Sequence, residues 1–181
     1  MPASPVFLFQ DTTFERRAQG VLRRMPVLRG AALRVERAAG LRDRRGPVHA
    51  GAFVRERRIA FDCTRAEFPR IFVHEVAHFA WLRLGNAARR SYEDLVSAEL
   101  RRGTRGELGW SAEWRKKALS EGDIERRTRR WREYCCESFC DTAAWMYSGL
   151  GQHEEFTLGE RARRARREWF DRNVGDRALS I

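Results

Sequence analysis

The residues best suited to chemistry lie in one short segment, residues 74–78, which reads His-Glu-Val-Ala-His and so has the spacing HExxH. On a helix, side chains four residues apart lie on the same face, so the imidazoles of His74 and His78 can bind one metal ion. Glu75 can then act as general base toward a water molecule whose pKa a zinc ion lowers to about 7. The segment therefore predicts a zinc site for hydrolysis.

The residues on both sides of this motif are apolar. Ile-Phe-Val precedes it at 71–73, and Phe-Ala-Trp follows it at 79–81. Such flanks predict a buried helix, in which unpaired ionisable side chains are costly. A shared metal ion removes that cost, so the surroundings favour a metal site over a chance match.

The third ligand is predicted to be acidic. The metzincin pattern requires Gly three and His six residues after the second histidine, but Trp81 and Leu84 occupy those places. Glu137 and Asp141 lie four residues apart in the segment 134–151, which carries no other charge. Two unpaired carboxylates on one buried face would repel each other and lose hydration. A metal that binds one and a ligating histidine that hydrogen-bonds the other would resolve this.

HExxH followed downstream by ExxxD resembles the signature of the gluzincin metallopeptidases, the thermolysin-like group. The resemblance implies that His74, His78 and Glu137 bind Zn²⁺ and that Glu75 is the general base. It also implies that Asp141 orients His74 through the ring nitrogen that does not bind the metal.

The resemblance covers residues 52–147 at most. The distance of 59 residues from His78 to Glu137 is longer than in the thermolysin type. With its small size, the chain is more similar to small cytosolic zincin-like proteins such as the ImmA/IrrE type. The resemblance implies a zincin-like fold and a protein or peptide substrate.

The group that would stabilise the reaction's oxyanion is not fixed by any motif. Gluzincins usually use a Tyr or His for this purpose, and four side chains are candidates: His153, Tyr147, Tyr134 and Tyr92. A packing or surface role is favoured for each of them, and His153 also remains an alternative third metal ligand. Cys136 and Cys140, four residues apart beside Glu137, are interpreted as small buried thiols that pack together.

The elements that must position these residues indicate an α+β fold, with a small N-terminal sheet or hairpin before a mainly helical region. Strand patterns occur at 5–9 and 33–38, a basic loop at 40–47, and a hairpin at 52–55 and 58–62 that is expected at a sheet edge. Helices are predicted at 12–24, 68–84, 91–102, 111–119, 124–147 and from 157 onward, with a capping box at Thr64 and Glu67 before the second. We expect one domain over 1–181, with 152–181 as a basic helical extension.

The composition is strongly basic, with 36 Lys and Arg against 25 Asp and Glu and a net charge of +11. Nearly all the basic residues are arginine, which fits either a nucleic-acid-binding face or the codon usage of a GC-rich genome. The clusters at 126–132 and 161–167 alternate with acids, so they are predicted to be solvated helix faces. No apolar run approaches the roughly 20 residues of a membrane helix, and the run at 5–9 is too short for a secretory signal. A cytoplasmic protein without membrane insertion is expected, with four free cysteines.

These observations predict a zinc metalloendopeptidase of the bacterial cytosol. One alternative is a DNA-associated protease or regulator, SprT-like or ImmA/IrrE-like, although SprT-like domains usually take a third histidine where this chain offers Glu137. The other alternative is a zincin homologue that binds metal without catalysis.

Overall fold

The computed structural model describes residues 7–43, 46–175 and 177–181. Within these residues the fold is α+β, as predicted, with a small mixed sheet and seven α-helices. The strands β1 to β8 are Phe7–Phe9, Leu28–Arg29, Leu33–Arg37, Arg42–Asp43, Gly46–Pro47, Ala50–Phe53, Arg58–Phe61 and Leu179–Ser180. The helices α1 to α7 are Thr12–Leu22, Phe68–Arg83, Asn86–Arg101, Trp110–Lys117, Glu121–Glu125, Arg129–Tyr147 and Glu160–Asn173.

The main sheet has the strand order β1-β3-β7-β6. β1, β3 and β7 are parallel, whereas β6 runs antiparallel to β7 and forms the edge. The predicted hairpin at the sheet edge is therefore confirmed, but its first strand is Ala50–Phe53 rather than 52–55, because Val54–Glu56 form a short 3-10 helix. Its turn ends at Arg57, which has a left-handed φ of 51°. The predicted first strand is confirmed over Phe7–Phe9, and its residues 5 and 6 lie outside the described part. The predicted loop 40–47 contains the short β4–β5 pair, and its residues 44 and 45 also lie outside.

Helix α2 is the central element, because its apolar sequence is buried on nearly every side. It packs between the sheet and α6, and Phe68 and Phe72 stack on each other against Phe61 and Phe7. The helix ends at Arg83, close to its predicted end. It also begins at the predicted Phe68, but the predicted capping box is corrected, because Glu67 is the N-cap residue and its side chain makes no capping hydrogen bond. The backbone N–H of residue 67 donates to the Thr64 hydroxyl at 3.3 Å, but this bond closes the turn before the helix.

The predicted helix 124–147 is two helices, α5 and α6. The helical conformation is interrupted between them because Arg127 has a φ of 46°, outside the helical region. Asp123 stabilises this break, since its carboxylate accepts hydrogen bonds from the Ser120 hydroxyl at 2.7 Å and the Thr128 hydroxyl at 2.6 Å. The break sets the direction of α6, the helix that carries Glu137.

The C-terminal residues pack onto the same core. On α7, Trp169 and Phe170 are buried against Phe139 of α6, and β8 pairs with β2, a pairing the sequence did not predict. Arg166 corrects the prediction of a solvated face over 161–167, because its side chain is wholly buried. No helix in the described residues combines the length and apolarity needed to cross a membrane.

Candidate metal centre

Helices α2 and α6 bring the two sequence motifs into contact. The Nε2 atoms of His74 and His78 lie 3.2 Å apart. Glu137 Oε2 lies 3.3 Å from the first of these nitrogens and 3.9 Å from the second. A tetrahedral zinc ion with bonds of about 2.0–2.1 Å separates its donor atoms by roughly 3.3 Å. These three atoms therefore have nearly the spacing of three donors to one zinc ion.

Asp141 fixes the orientation of the first histidine. Its Oδ1 lies 2.7 Å from His74 Nδ1, and its Oδ2 accepts the Ala112 backbone N–H at 3.1 Å. The backbone of Gly109 passes so close that a Cβ there would lie 2.2 Å from the carboxyl carbon. In the neutral imidazole, His74 Nδ1 carries the hydrogen of this contact, which leaves the lone pair on Nε2, the atom that faces His78 and Glu137.

Glu75 lies on α2, the helix of His74 and His78, and is buried. Burial raises the pKa of Glu75, and the nearby His74 and His78 oppose that rise. A carboxylate with a raised pKa takes up a proton more readily, which suits a general base. For His74, burial lowers the pKa, but the charge and hydrogen bond of Asp141 raise it well above its ordinary value.

A second possible third donor lies in the same place. The Sγ of Cys140 and one ring nitrogen from each of His74 and His78 lie within 4.8 Å of one another. Cysteine thiolates also bind zinc, so the structure offers both Glu137 and Cys140. The sequence had indicated only a packing role for this thiol. Its neighbour Cys136 has its Sγ 3.5 Å from His78 Nδ1 and so contacts the second histidine.

Arg115 of α4 is a site residue that the sequence did not reveal. Its Nη2 lies 3.0 Å from Glu137 Oε1, on the oxygen that does not face the histidines. No motif marks this residue among the many arginines, and 22 residues separate it from Glu137. Only the packing of α4 on α6 brings the two side chains together.

His153 lies at the N-terminal end of α2. Its Nε2 is 3.2 Å from Glu67 Oε1, and its Nδ1 accepts the Glu155 backbone N–H at 3.2 Å. Glu67 precedes His74 by seven residues, about 10 Å along a helix axis. Both ring nitrogens of His153 thus have partners away from the histidine pair. A cavity of about 590 Å³ opens beside it, next to the start of α2.

The tyrosines are also held elsewhere. Tyr147 lies ten residues beyond Glu137 on α6, about 15 Å along the axis, and its ring packs against Phe170. The Tyr92 hydroxyl lies 3.1 Å and 3.0 Å from two hydroxyls of α6. The Tyr134 hydroxyl donates to a buried carboxylate at 2.6 Å. None of these contacts involves the histidine pair.

Of the residues singled out from the sequence, the structure brings together His74, Glu75, His78, Glu137 and Asp141. Comparison of the chain with protein-family models, with curated proteins and with solved structures finds no match in any of the three.

Proposed function

We propose that this chain is a zinc-dependent endopeptidase with a zincin-like fold and a gluzincin type of site. The observation that carries the proposal is the convergence of His74 Nε2, His78 Nε2 and Glu137 Oε2 at separations of 3.2, 3.3 and 3.9 Å. An imidazole pair with one carboxylate is a donor set of catalytic zinc sites, in which a fourth position remains for water or substrate.

In this proposal the five residues of the centre have different roles. His74, His78 and Glu137 hold the ion, and Asp141 keeps the hydrogen of His74 on Nδ1. When bound, zinc supplies Lewis acidity, which polarises a carbonyl oxygen and makes water a nucleophile near neutral pH. The Glu75 carboxylate accepts the proton of the attacking water and then delivers it to the nitrogen of the departing amine.

A peptide substrate is favoured by the edge strand β6. In the described part of the chain, β6 has a partner strand on one side only, and α2 packs beside it. An extended peptide can add to such an edge through backbone hydrogen bonds. The cavity of about 590 Å³ at the start of α2 includes His49, the residue just before β6. A peptide lying along β6 would reach this cavity.

The test compares the wild type with Glu75→Gln after both are loaded with zinc. Each is incubated with a mixture of peptides of varied sequence, and the cleavage products are identified by mass spectrometry. We expect both proteins to bind one zinc ion per chain and only the wild type to cleave. A zinc-loaded wild type that cleaves nothing would favour the non-catalytic alternative. Equal cleavage by the two proteins would exclude Glu75 as the base.

The DNA-associated alternative depends on the net charge of +11. Several arginines already have acidic partners, such as Arg127 with Glu93 and Asp94, which weakens the DNA-associated alternative.

A cytoplasmic location belongs to the proposal, because the four cysteines are free, as expected in a reducing compartment.

A further inference from the structure

The short helix α4 contacts both carboxylates of the ExxxD motif. The Ala112 backbone N–H binds Asp141 Oδ2 at 3.1 Å, and one turn later Arg115 Nη2 binds Glu137 Oε1 at 3.0 Å. The guanidinium is itself held, since its Nη1 donates to the Ser111 carbonyl at 2.8 Å. Arg115 is therefore fixed at the outer side of Glu137.

The two oxygens of Glu137 consequently have different partners. Oε2 faces the histidine pair, and Oε1 faces Arg115. We propose that Arg115 is a positioning residue that makes Glu137 a monodentate metal ligand and thereby keeps the fourth coordination position open. This inference rests on the metal site of the proposed function, but it does not require that the chain cleaves peptides.

The physical reason lies in what a carboxylate does when one oxygen has no partner. Carboxylates bind metals through one or both oxygens, so an unrestrained Oε1 can turn onto the ion, take the fourth position and make bound water a fifth ligand. The guanidinium of arginine stays charged at all ordinary pH values and binds carboxylates in a fixed geometry. Both side chains are mostly buried, with exposed fractions of 21% for Arg115 and 14% for Glu137, so solvent screens their attraction only in part.

Cobalt(II) is the probe for this inference, because it occupies zinc sites and its visible absorption is strong when four-coordinate and weaker when five-coordinate. Arg115→Met replaces the charged side chain with an apolar one, and Arg115→Gln replaces it with a neutral polar one. Either variant is sufficient for the test if the other does not fold. Lys117→Ala is the matched control. It removes one positive charge from the same helix, where Lys117 is 69% exposed and pairs only with Glu113 among the described residues.

We expect either Arg115 variant to bind cobalt about tenfold to a hundredfold more weakly than the wild type, the usual effect of losing a partner of a metal ligand. We also expect a lower absorption per bound cobalt ion, because Glu137 becomes bidentate. Lys117→Ala should match the wild type in both measurements. A merely structural role for Arg115 could lower the affinity but would leave the spectrum of the bound ion unchanged.

Two outcomes would overturn the inference. One is an Arg115 variant with the wild-type spectrum at saturating cobalt, and the other is a wild type that binds no cobalt, which would also refute the proposed function. A wild type that gives the expected spectra and cleaves no peptide would refute only the peptidase proposal and leave the role of Arg115 supported.

Discussion

Asp141 Oδ1 lies 2.7 Å from His74 Nδ1, and this contact joins the helix of the HExxH motif to the helix of the ExxxD motif. The carboxylate is 2% exposed, and its other oxygen is held by the backbone of α4. It therefore cannot turn away from the imidazole without breaking a buried hydrogen bond. Three helices thus fix one ring nitrogen of His74 and direct the other toward His78 and Glu137.

Asp141→Asn should weaken zinc binding about tenfold to a hundredfold, because an amide cannot stabilise the ligating imidazole as a carboxylate does. The dissociation constant is measured by competition with a chromophoric chelator at neutral pH. Asp171→Asn, which removes an exposed charge on α7, is the control and should bind zinc as the wild type does. Unchanged affinity in Asp141→Asn would show that the 2.7 Å contact does not support metal binding.

The third ligand can be assigned by comparing three variants. If Glu137 completes the site, Glu137→Gln should lose most of its zinc at a concentration that saturates the wild type, while Cys140→Ser and His153→Ala keep theirs. The physical reason is that a neutral amide is a poor zinc ligand, whereas hydroxyl and methyl groups leave the other donors in place. Metal content after dialysis is the measurement. Loss of zinc in Cys140→Ser alone would assign the thiol instead.

The parts of the site that the sequence predicted are those with local patterns. His74 and His78 share one helix, and Glu137 and Asp141 share another, so spacing alone indicates which side chains lie on one face. The β6–β7 hairpin could also be predicted from the sequence, because alternation of apolar and polar residues on both sides of a polar turn is a local signal.

The parts that the sequence missed depend on packing between distant segments. Arg115 meets Glu137 only because α4 crosses α6, and the sequence of α4 gives no sign of that crossing. Arg127 interrupts a continuous helical pattern by adopting a positive φ, which arginine rarely does. No neighbouring glycine marks this position in the sequence. In the sequence, Arg166 cannot be distinguished from its exposed neighbours, because its partners Glu99 and Glu107 come from other segments of the chain.

Arg166→Met should lower the free energy of unfolding by about 3–5 kcal/mol, because it removes the cation that two buried carboxylates share and leaves Glu107 only Lys116, at 3.4 Å. Arg166 binds Glu99 and Glu107 at 2.7 Å each, and all three side chains are at most 1% exposed. Urea unfolding followed by circular dichroism measures the change. Arg164→Met, at an exposed position of the same helix, should change the stability by less than about 0.5 kcal/mol. Equal stability of the two variants would contradict this account.

Asp123→Asn should destabilise the chain at neutral pH and progressively less in acid. The hydroxyl of Thr128, together with the backbone N–H and hydroxyl of Ser120, lowers the pKa of Asp123 from its ordinary value of 3.8 to about 2. Because the pKa is lower in the folded state, its stabilising effect is complete above about pH 4 and is lost as the pH falls toward 2.

The measurement for Asp123 is the difference in melting temperature between wild type and variant at several pH values from 7 to 3. The difference should be constant down to about pH 4 and then shrink, because Asp123 in the unfolded wild type begins to take up a proton near its ordinary pKa of 3.8 while the folded state stays ionised. Glu125→Gln, at an exposed position of the same short helix, is the control for removing one negative charge and should show a smaller difference. A difference for Asp123→Asn that grows in acid would reverse the sign of the linkage and show that the carboxylate bonds of the α5–α6 break do not favour the ionised form.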